Sequence, residues 1–291
     1  MTRRDITENF IMKKTTTLFM TLLLATAITS CNKDGVYNPK EKIDKIYVDA
    51  GYGKYLSEDW TWDNKQLKTI NYYDSDGTIN HTETFTYSDN RLSQVDNQEH
   101  GETVKYTYDK RHLHQASFYN NNVLYMTCLF EYADNKLSDI KVTTTIADKS
   151  LNTTGAANPL NYVLPKQSLE FIKNVLNENP ARGSVSFEID FAWDGNNISE
   201  IEIELDEHTA LYAFEYDDKL NPFRNFLGSD LEETLYGHGV YKSKNNVVAY
   251  TLIEAIMGYS FTESHYISYT YDGRFPATRT IDNVIEYFEY E

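Results

Sequence analysis

One pattern constrains this chain more than any other: an aromatic, a spacer and a second aromatic, followed by a corner of Asp, Asn, Gly or Ser. It appears at Trp60/Trp62, Phe85/Tyr87, Tyr106/Tyr108, Phe130/Tyr132, Phe191/Trp193, Phe214/Tyr216 and Tyr269/Tyr271. The second rings recur every 21–25 residues, with two longer gaps, which is the signature of an internal repeat. Side chains alternate along a strand, so each pair puts two rings on one face. The polar corner then turns the chain, because Asp, Asn and Gly tolerate left-handed backbone. Across each corner the second ring meets an aliphatic residue, as Tyr87 does Leu92, a stabilising cross-strand pair. A further apolar residue follows three positions on (Ile70, Val95, Ile140, Ile201). That spacing either covers both sheet faces in part or marks a bulge.

Second turns lie between the units, at Asp74–Gly77, Asn97–Gly101 and Asn120–Asn122. Strand, turn, strand, turn at this length is an antiparallel meander. The expected fold is all-β: an up-and-down meander of about fifteen strands, curled into a barrel or wrapped sheet. So many strands curl or close rather than stay flat. Two insertions interrupt the rhythm. Leu169, Ile172, Val175 and Leu176 are spaced as an amphipathic helix between Pro165 and Pro180. Residues 221–240 read as a loop with a short helix at Asp230–Leu235.

The first thirty residues read as an export signal. Lys13 and Lys14 precede a short apolar stretch that ends in small residues before Cys31, too short for a stable span. Met12 is the expected start of that signal. Ile28-Thr29-Ser30-Cys31 resembles a bacterial lipobox, which implies cleavage before Cys31 and acylation of its thiol and new amine. The acyl chains would then hold the protein to a bilayer. The expected organisation is a signal over 1–30, a flexible tether over 31–44 and one hairpin-repeat domain over 45–291. With Cys31 used, Cys128 is left without a pairing partner. It alternates with Met126 and Phe130 and reads as a small buried hydrophobe.

A net charge of −17 and a pI near 4.8 argue against nucleic-acid binding, which needs a basic surface. Hydrophobic residues at 41% and aromatics at 14% exclude a disordered chain.

The residues able to carry chemistry have ordinary readings. His112 and His114 share an expected strand face, with His100 and Glu102 on a neighbouring strand, but no convergent set of three or four metal ligands follows. Glu200, Glu202 and Glu204 form a solvated row, since adjacent positions on one strand do not span a sugar as glycosidase acids must. Asp74-Ser75-Asp76-Gly77 lacks the later ligands of a calcium loop and suffices as a turn. Gly258-Tyr259-Ser260-Phe261 fails the spacing of a nucleophile elbow. Gly237-His238-Gly239 has no legible partner triad, and no phosphate or dinucleotide motif occurs. No cofactor and no metal are expected. The abundant rings could stack on sugars. Their fixed place in the repeat favours a core role, because a binding site is local and a core repeats throughout.

Tyr271-Asp272-Gly273-Arg274 and Arg91-Leu92 resemble the tyrosine-aspartate repeats of rearrangement-hotspot shell proteins. The stretch Phe214-Glu215-Tyr216-Asp217-Asp218-Lys219-Leu220-Asn221-Pro222-Phe223, with the lipobox and the hairpins, resembles a second family. Its members are lipoproteins of the Bacteroides group, defined as a domain of unknown function with a porin-like fold. The resemblance covers most of 45–291 and implies an anchored barrel-like domain with no catalytic residues to carry over. Asn32-Lys33-Asp34 resembles the acidic export signal of surface lipoproteins in that group. Most strand-like runs span about six to nine residues and are interrupted by Thr, Asn, Glu and Lys, short of what a membrane strand needs. The expectation is a soluble barrel tethered to the outer membrane, facing the periplasm or the cell surface. The expected role is a non-enzymatic binding or accessory module for glycans or other exported ligands. The alternatives are a structural or assembly component of the envelope, with envelope-protein partners, or a hydrolase using loops 144–184 or 221–240.

Overall fold

The computed structural model describes residues 33–145, 184–205, 208–228, 242–256 and 259–291. Asp34–Glu291 forms one unit. Sixteen strands follow in chain order. The first eight are β1 (Ile43–Asp49), β2 (Tyr55–Asp63), β3 (Gln66–Tyr73), β4 (Ile79–Ser88), β5 (Arg91–Asn97), β6 (Glu102–Asp109), β7 (His112–Asn120) and β8 (Val123–Ala133). The rest are β9 (Lys136–Thr145), β10 (Ser184–Asp194), β11 (Asn197–Leu205), β12 (His208–Leu220), β13 (Asn245–Ile256), β14 (Tyr259–Asp272), β15 (Phe275–Ile281) and β16 (Val284–Tyr290). Each pairs antiparallel with its neighbours in sequence, and β1 pairs with β16, so the meander closes into a barrel. The closing register sets Ile43 against Tyr290 and Ile46 against Phe288.

The eight even-numbered strands each carry one aromatic pair. The eighth, Phe288/Tyr290 on β16, completes the ring and brings the count of strands to sixteen rather than about fifteen. The rings point inward. Trp60, Phe85, Tyr106, Phe130, Phe191 and Phe288 are buried in one continuous core. Beside each pair, one residue of the neighbouring strand is skipped in the register: Lys68, Ser93, His114, Ser138, Ser199, Val248, Ala277 and Asp44. That bulge settles the three-residue spacing. It turns Leu67 and Ile70, Leu92 and Val95, Leu137 and Ile140, and Ile198 and Ile201 all toward the core.

The corners after six of the eight pairs are two residues long. Asp89 and Asn90 have φ of 52° and 60°, and Asp134 and Asn135 51° and 62°, as a type I′ turn requires. At Gly195 and Gly273 only the first corner residue has positive φ, the pattern of type II′.

All six of these corners lie at one end of the barrel, with Ile43 and Tyr290. We call this end the base and the opposite end the crown. The segment 221–228 folds into the base, where Phe226 packs 5.2 Å from Trp60 and 5.3 Å from Tyr37. Tyr37 donates to the Pro222 carbonyl at 2.8 Å, and Tyr106 to the Gly228 carbonyl at 2.9 Å. The interior is therefore packed rather than hollow. The outer wall carries Thr61, Thr86, Lys105, Glu131, Lys141 and Glu200, all exposed. A spanning barrel carries an apolar band outside; at these positions the wall carries exposed charged and hydroxyl side chains instead. Leu129, Ile253 and Tyr266 are exposed apolar residues among them.

Two expectations meet the structure differently. The tether over 31–44 is, from Asp34 onward, seated in the barrel: Asp34 and Tyr37 are buried, and Leu92 N donates to the Gly35 carbonyl at 2.8 Å. The helices expected at Leu169–Leu176 and Asp230–Leu235 lie outside the described residues, which contain no helix.

Candidate functional site

The inner face of each strand changes character along its length, and the change follows from the period of two. Two positions before Trp60 on the same face stands Glu58; two before Phe85 stands Glu83; four before Tyr106 stands Glu102. These carboxylates sit above the rings, toward the crown, and are 6%, 1% and 4% exposed. Glu254 on β13 is buried on the same inner face above the rings, whereas Arg279 on β15 is buried lower, as the cross-strand partner of Tyr269. Burial of a charge requires partners. Trp60 Nε1 donates to Glu58 Oε2 at 2.7 Å, and the Arg279 guanidinium makes a two-pronged pair with Glu286, with Nη2 to Oε1 at 2.8 Å. Imidazoles complete the band. His81 stacks on Tyr72 at 4.3 Å and lies 5.1 Å from His100; His265 stacks on Tyr250 at 4.7 Å.

Above this band, the crown exposes apolar side chains. Tyr52 in the β1–β2 turn is 99% exposed, Tyr259 73% and Phe261 61%. Ile79, Val123, Leu124 and Val284, each at the crown-end start of its strand, are also exposed. Phe261 pairs with the inward-facing Glu254, so its ring belongs to the inner side of the rim. Flat rings over a layer of carboxylates, imidazoles and amides offer stacking faces above hydrogen-bonding edges. The alternation in the sequence hid this, because Ile79 and Val123 look like core residues in a strand.

The base is organised in the opposite sense. The second ring of each pair is always Tyr or Trp, and in five pairs its polar tip donates to a carbonyl of the preceding strand. Tyr108 Oη donates to Leu92 O at 2.6 Å, Trp193 Nε1 to Leu137 O at 2.7 Å, and Tyr216 Oη to Ile198 O at 2.6 Å. Trp62 Nε1 to Ile43 O and Tyr290 Oη to Pro276 O, both 2.8 Å, make the same stitch on the strands that flank the barrel's closure. Asp34 is clamped here by Leu113 N at 2.9 Å, Tyr132 Oη at 2.8 Å and the Lys242 ammonium. Burial pushes the Asp34 carboxyl up, but Lys242 and the two hydrogen bonds outweigh it, and the group is held below its ordinary value. The gap beside Tyr37, Phe85 and Phe226 has about 230 Å³ including its solvent-open part, under the ~300–1,000 Å³ of ligand pockets.

The expected site residues scatter. His112 lies at the base, stacked on Tyr132 at 4.2 Å, and His114 is the exposed bulged residue beside it. His100 and Glu102 are at the crown end of β6, so the four do not converge. Glu200 and Glu204 are exposed on the outer wall with the half-exposed Glu202 between them. Asp74 and Asp76 serve their own turn, with Thr78 N donating to Asp76 Oδ1 and Asn80 Nδ2 to Asp74 Oδ1, each at 2.9 Å. Tyr259–Phe261 opens β14, whereas Gly258 and Gly237-His238-Gly239 lie outside the described residues, as does Cys31. Cys128 is buried and free, with burial pushing its thiol to about 12.

One cluster escaped the sequence reading, because it forms only across strands. Asp139, Glu188 and Asp190 bring carboxylate oxygens within 4.8 Å of one another on the outer wall. Asp139 and Asp190 are direct cross-strand partners. Desolvation, a hydrogen bond with Asp139 and the neighbouring negative charges raise Asp190 to about 6. Lys141 compensates in part, 3.8 Å from Glu188. No second feature there points to a ligand.

No protein-family model and no curated protein matches the chain. Among solved structures, a porin-like protein from Bacteroides uniformis ATCC 8492 aligns over 86% of this chain and 98% of its own, at 11% identity and a TM-score of 0.49. A porin-like protein from Bacteroides vulgatus ATCC 8482 aligns over 87% and 99%, at 8% identity and a TM-score of 0.42. The closed sixteen-strand barrel rests on its own strand pairing.

Proposed function

We propose that the chain is a lipid-anchored protein of the cell envelope that works without catalysis, as a binding or accessory module whose crown takes a glycan or another exported ligand. The observation that carries this is the gathering of exposed rings, Tyr52, Tyr259 and Phe261, at one end, while the first rings of the repeat point into the core. Exposed apolar groups collected above polar ones mark interaction sites. The anchor half of the reading rests on the lipobox at Cys31. A packed interior and a charged wall support a presenting scaffold over a channel.

The test is glycan-array screening followed by calorimetric titration of the folded protein against whatever binds. Tyr259→Ala with Phe261→Ala should weaken binding at least tenfold and leave the melting temperature in place. A folded protein that binds nothing on the array, or a double variant that binds undiminished, overturns the glycan-binding role. A second reading, an assembly component of the envelope, draws on the exposed aliphatic Ile79, Val123 and Leu124, which suit a protein partner better than a sugar. Co-purification of envelope proteins that is lost on Val123→Ser with Leu124→Ser would favour it.

A further inference from the structure

We infer that the barrel stands on the bilayer by its base, with the crown directed away from the membrane; this rests on the reading of Cys31 as the acylated residue. The argument is first one of chain length. Asp34 is clamped inside the base by Leu113 N, Tyr132 Oη and Lys242. Gly35 follows with φ of +76°, and a Cβ there would fall 2.0 Å from Tyr108 Oη, so the segment runs flush against the barrel where no side chain fits. Tyr37 is then locked beneath Phe226. Cys31 lies three residues before Asp34. Three residues reach at most ~11 Å even when fully extended. An acyl group on Cys31 therefore holds the base, and not the crown, within about one turn's depth of the headgroups.

The charges agree. The six repeat corners of the base carry six Asp (63, 89, 109, 134, 194 and 272) against six basic residues, Lys65, Arg91, Lys110, Arg111, Lys136 and Arg274. At the crown turns, the described residues are Asp49, Asp74, Asp76, Glu99 and Asp282 against Lys54 alone. In a chain of net charge −17, the base is the end that approaches an anionic headgroup layer without repulsion. The crown repels it. The partner of the base is thus a phospholipid surface, and the rim of exposed rings is left free for its ligand.

The test uses the mature acylated protein in vesicles of phosphatidylethanolamine and phosphatidylglycerol that carry a headgroup quencher. A thiol-reactive fluorophore is placed at Asn196→Cys, an exposed base corner, or at Ser75→Cys, an exposed crown turn. Cys128 stays unlabelled, being buried with its thiol raised to about 12. The expected result is quenching several-fold stronger at position 196 than at position 75. Equal quenching, or stronger quenching at 75, overturns the orientation. The mass of the N-terminal peptide separates the two claims. An acylated Cys31 with quenching at the crown sinks the orientation alone, and an unmodified Cys31 sinks the anchor and the orientation with it.

Discussion

The two ends of the barrel solve opposite problems with the same repeat. At the base, polar tips of aromatic rings find carbonyls, a buried aspartate finds three donors, and the segment 221–228 fills the interior. At the crown, apolar side chains face water and charged ones are drawn inside. An unpaired buried polar group costs about 1–3 kcal/mol, so an end in which such groups are tied is an end built to persist. An exposed ring contributes almost nothing to folding, and its retention there needs another reason. The contrast teaches that stability and contact are segregated along the barrel axis, and substitutions at the two ends should separate them.

The largest effect is expected in the layer beneath the crown band. Trp60 is 2% exposed and packs against Tyr37, Phe223 and Phe226. Trp60→Ala should cost about 3–5 kcal/mol in denaturant unfolding, as large-to-small core changes do. A cost under about 1 kcal/mol would show that the interior is loosely filled, and the contrast between the ends would fall with it.

Next comes the clasp. Asp34→Asn leaves Lys242 facing a neutral side chain in a buried site and should cost about 3 kcal/mol. The pH dependence follows from the sign of the shift. The folded carboxyl lies below its ordinary 3.8, so its contribution is present in full above that value and is lost as pH falls through the folded value. The difference between wild type and variant should stay constant from pH 5 to 8 and shrink below about pH 4. A difference that grows on acidification would reverse the assignment.

Much of this was legible in the residues. The aromatic pairs predict one shared face by their period of two, and the Asp/Asn/Gly corners predict chain reversals of about four residues, which the structure tightens to two-residue turns. The second ring's restriction to Tyr and Trp is also visible in the sequence, and it is the trace of the carbonyl stitches. Three features were only partly legible or out of reach. The three-residue spacing left a bulge and a two-faced strand both open, because Lys68, Ser93 and His114 share no property that marks them as the skipped residues. The burial of Asp34 depends on Leu113, Tyr132 and Lys242, which are distant in sequence and meet only when the barrel closes. The crown rim is hidden because alternation tells which face Ile79 occupies and not whether anything covers it.

A smaller effect tests the stitches themselves. Tyr108→Phe keeps the ring and removes one donor, leaving the Leu92 carbonyl short of its partner. The expected cost is about 1–2 kcal/mol. Tyr259→Phe at the crown, with its ring 73% exposed, should read near zero in the same assay. Equal costs at the two positions would erase the distinction between the ends.

On the wall between them, Asp190 is expected to act in the opposite direction. Its carboxyl is raised to about 6, so folding is favoured while the group is protonated and the benefit is lost as pH rises from about 4 to 6. Asp190→Asn should therefore stabilise at pH 7 and have no advantage at pH 3.5. The site is largely open to solvent, so the gain is about 0.5–1 kcal/mol rather than what the shift alone would imply. Melting curves at the two pH values decide it, and a gain that persists at pH 3.5 would point to packing instead of charge.

The smallest effect on stability is the one that matters most for function. Tyr259→Ser with Phe261→Ser removes two rings that are 73% and 61% exposed, and surface changes of this kind stay within about 0.5 kcal/mol. If the crown is a contact surface, the pair should leave unfolding untouched and abolish ligand capture. If unfolding shifts by 2 kcal/mol or more, those rings are supporting the barrel's rim. The crown would then be an unfinished end of the core, and the search for a binding surface would have to move to the wall.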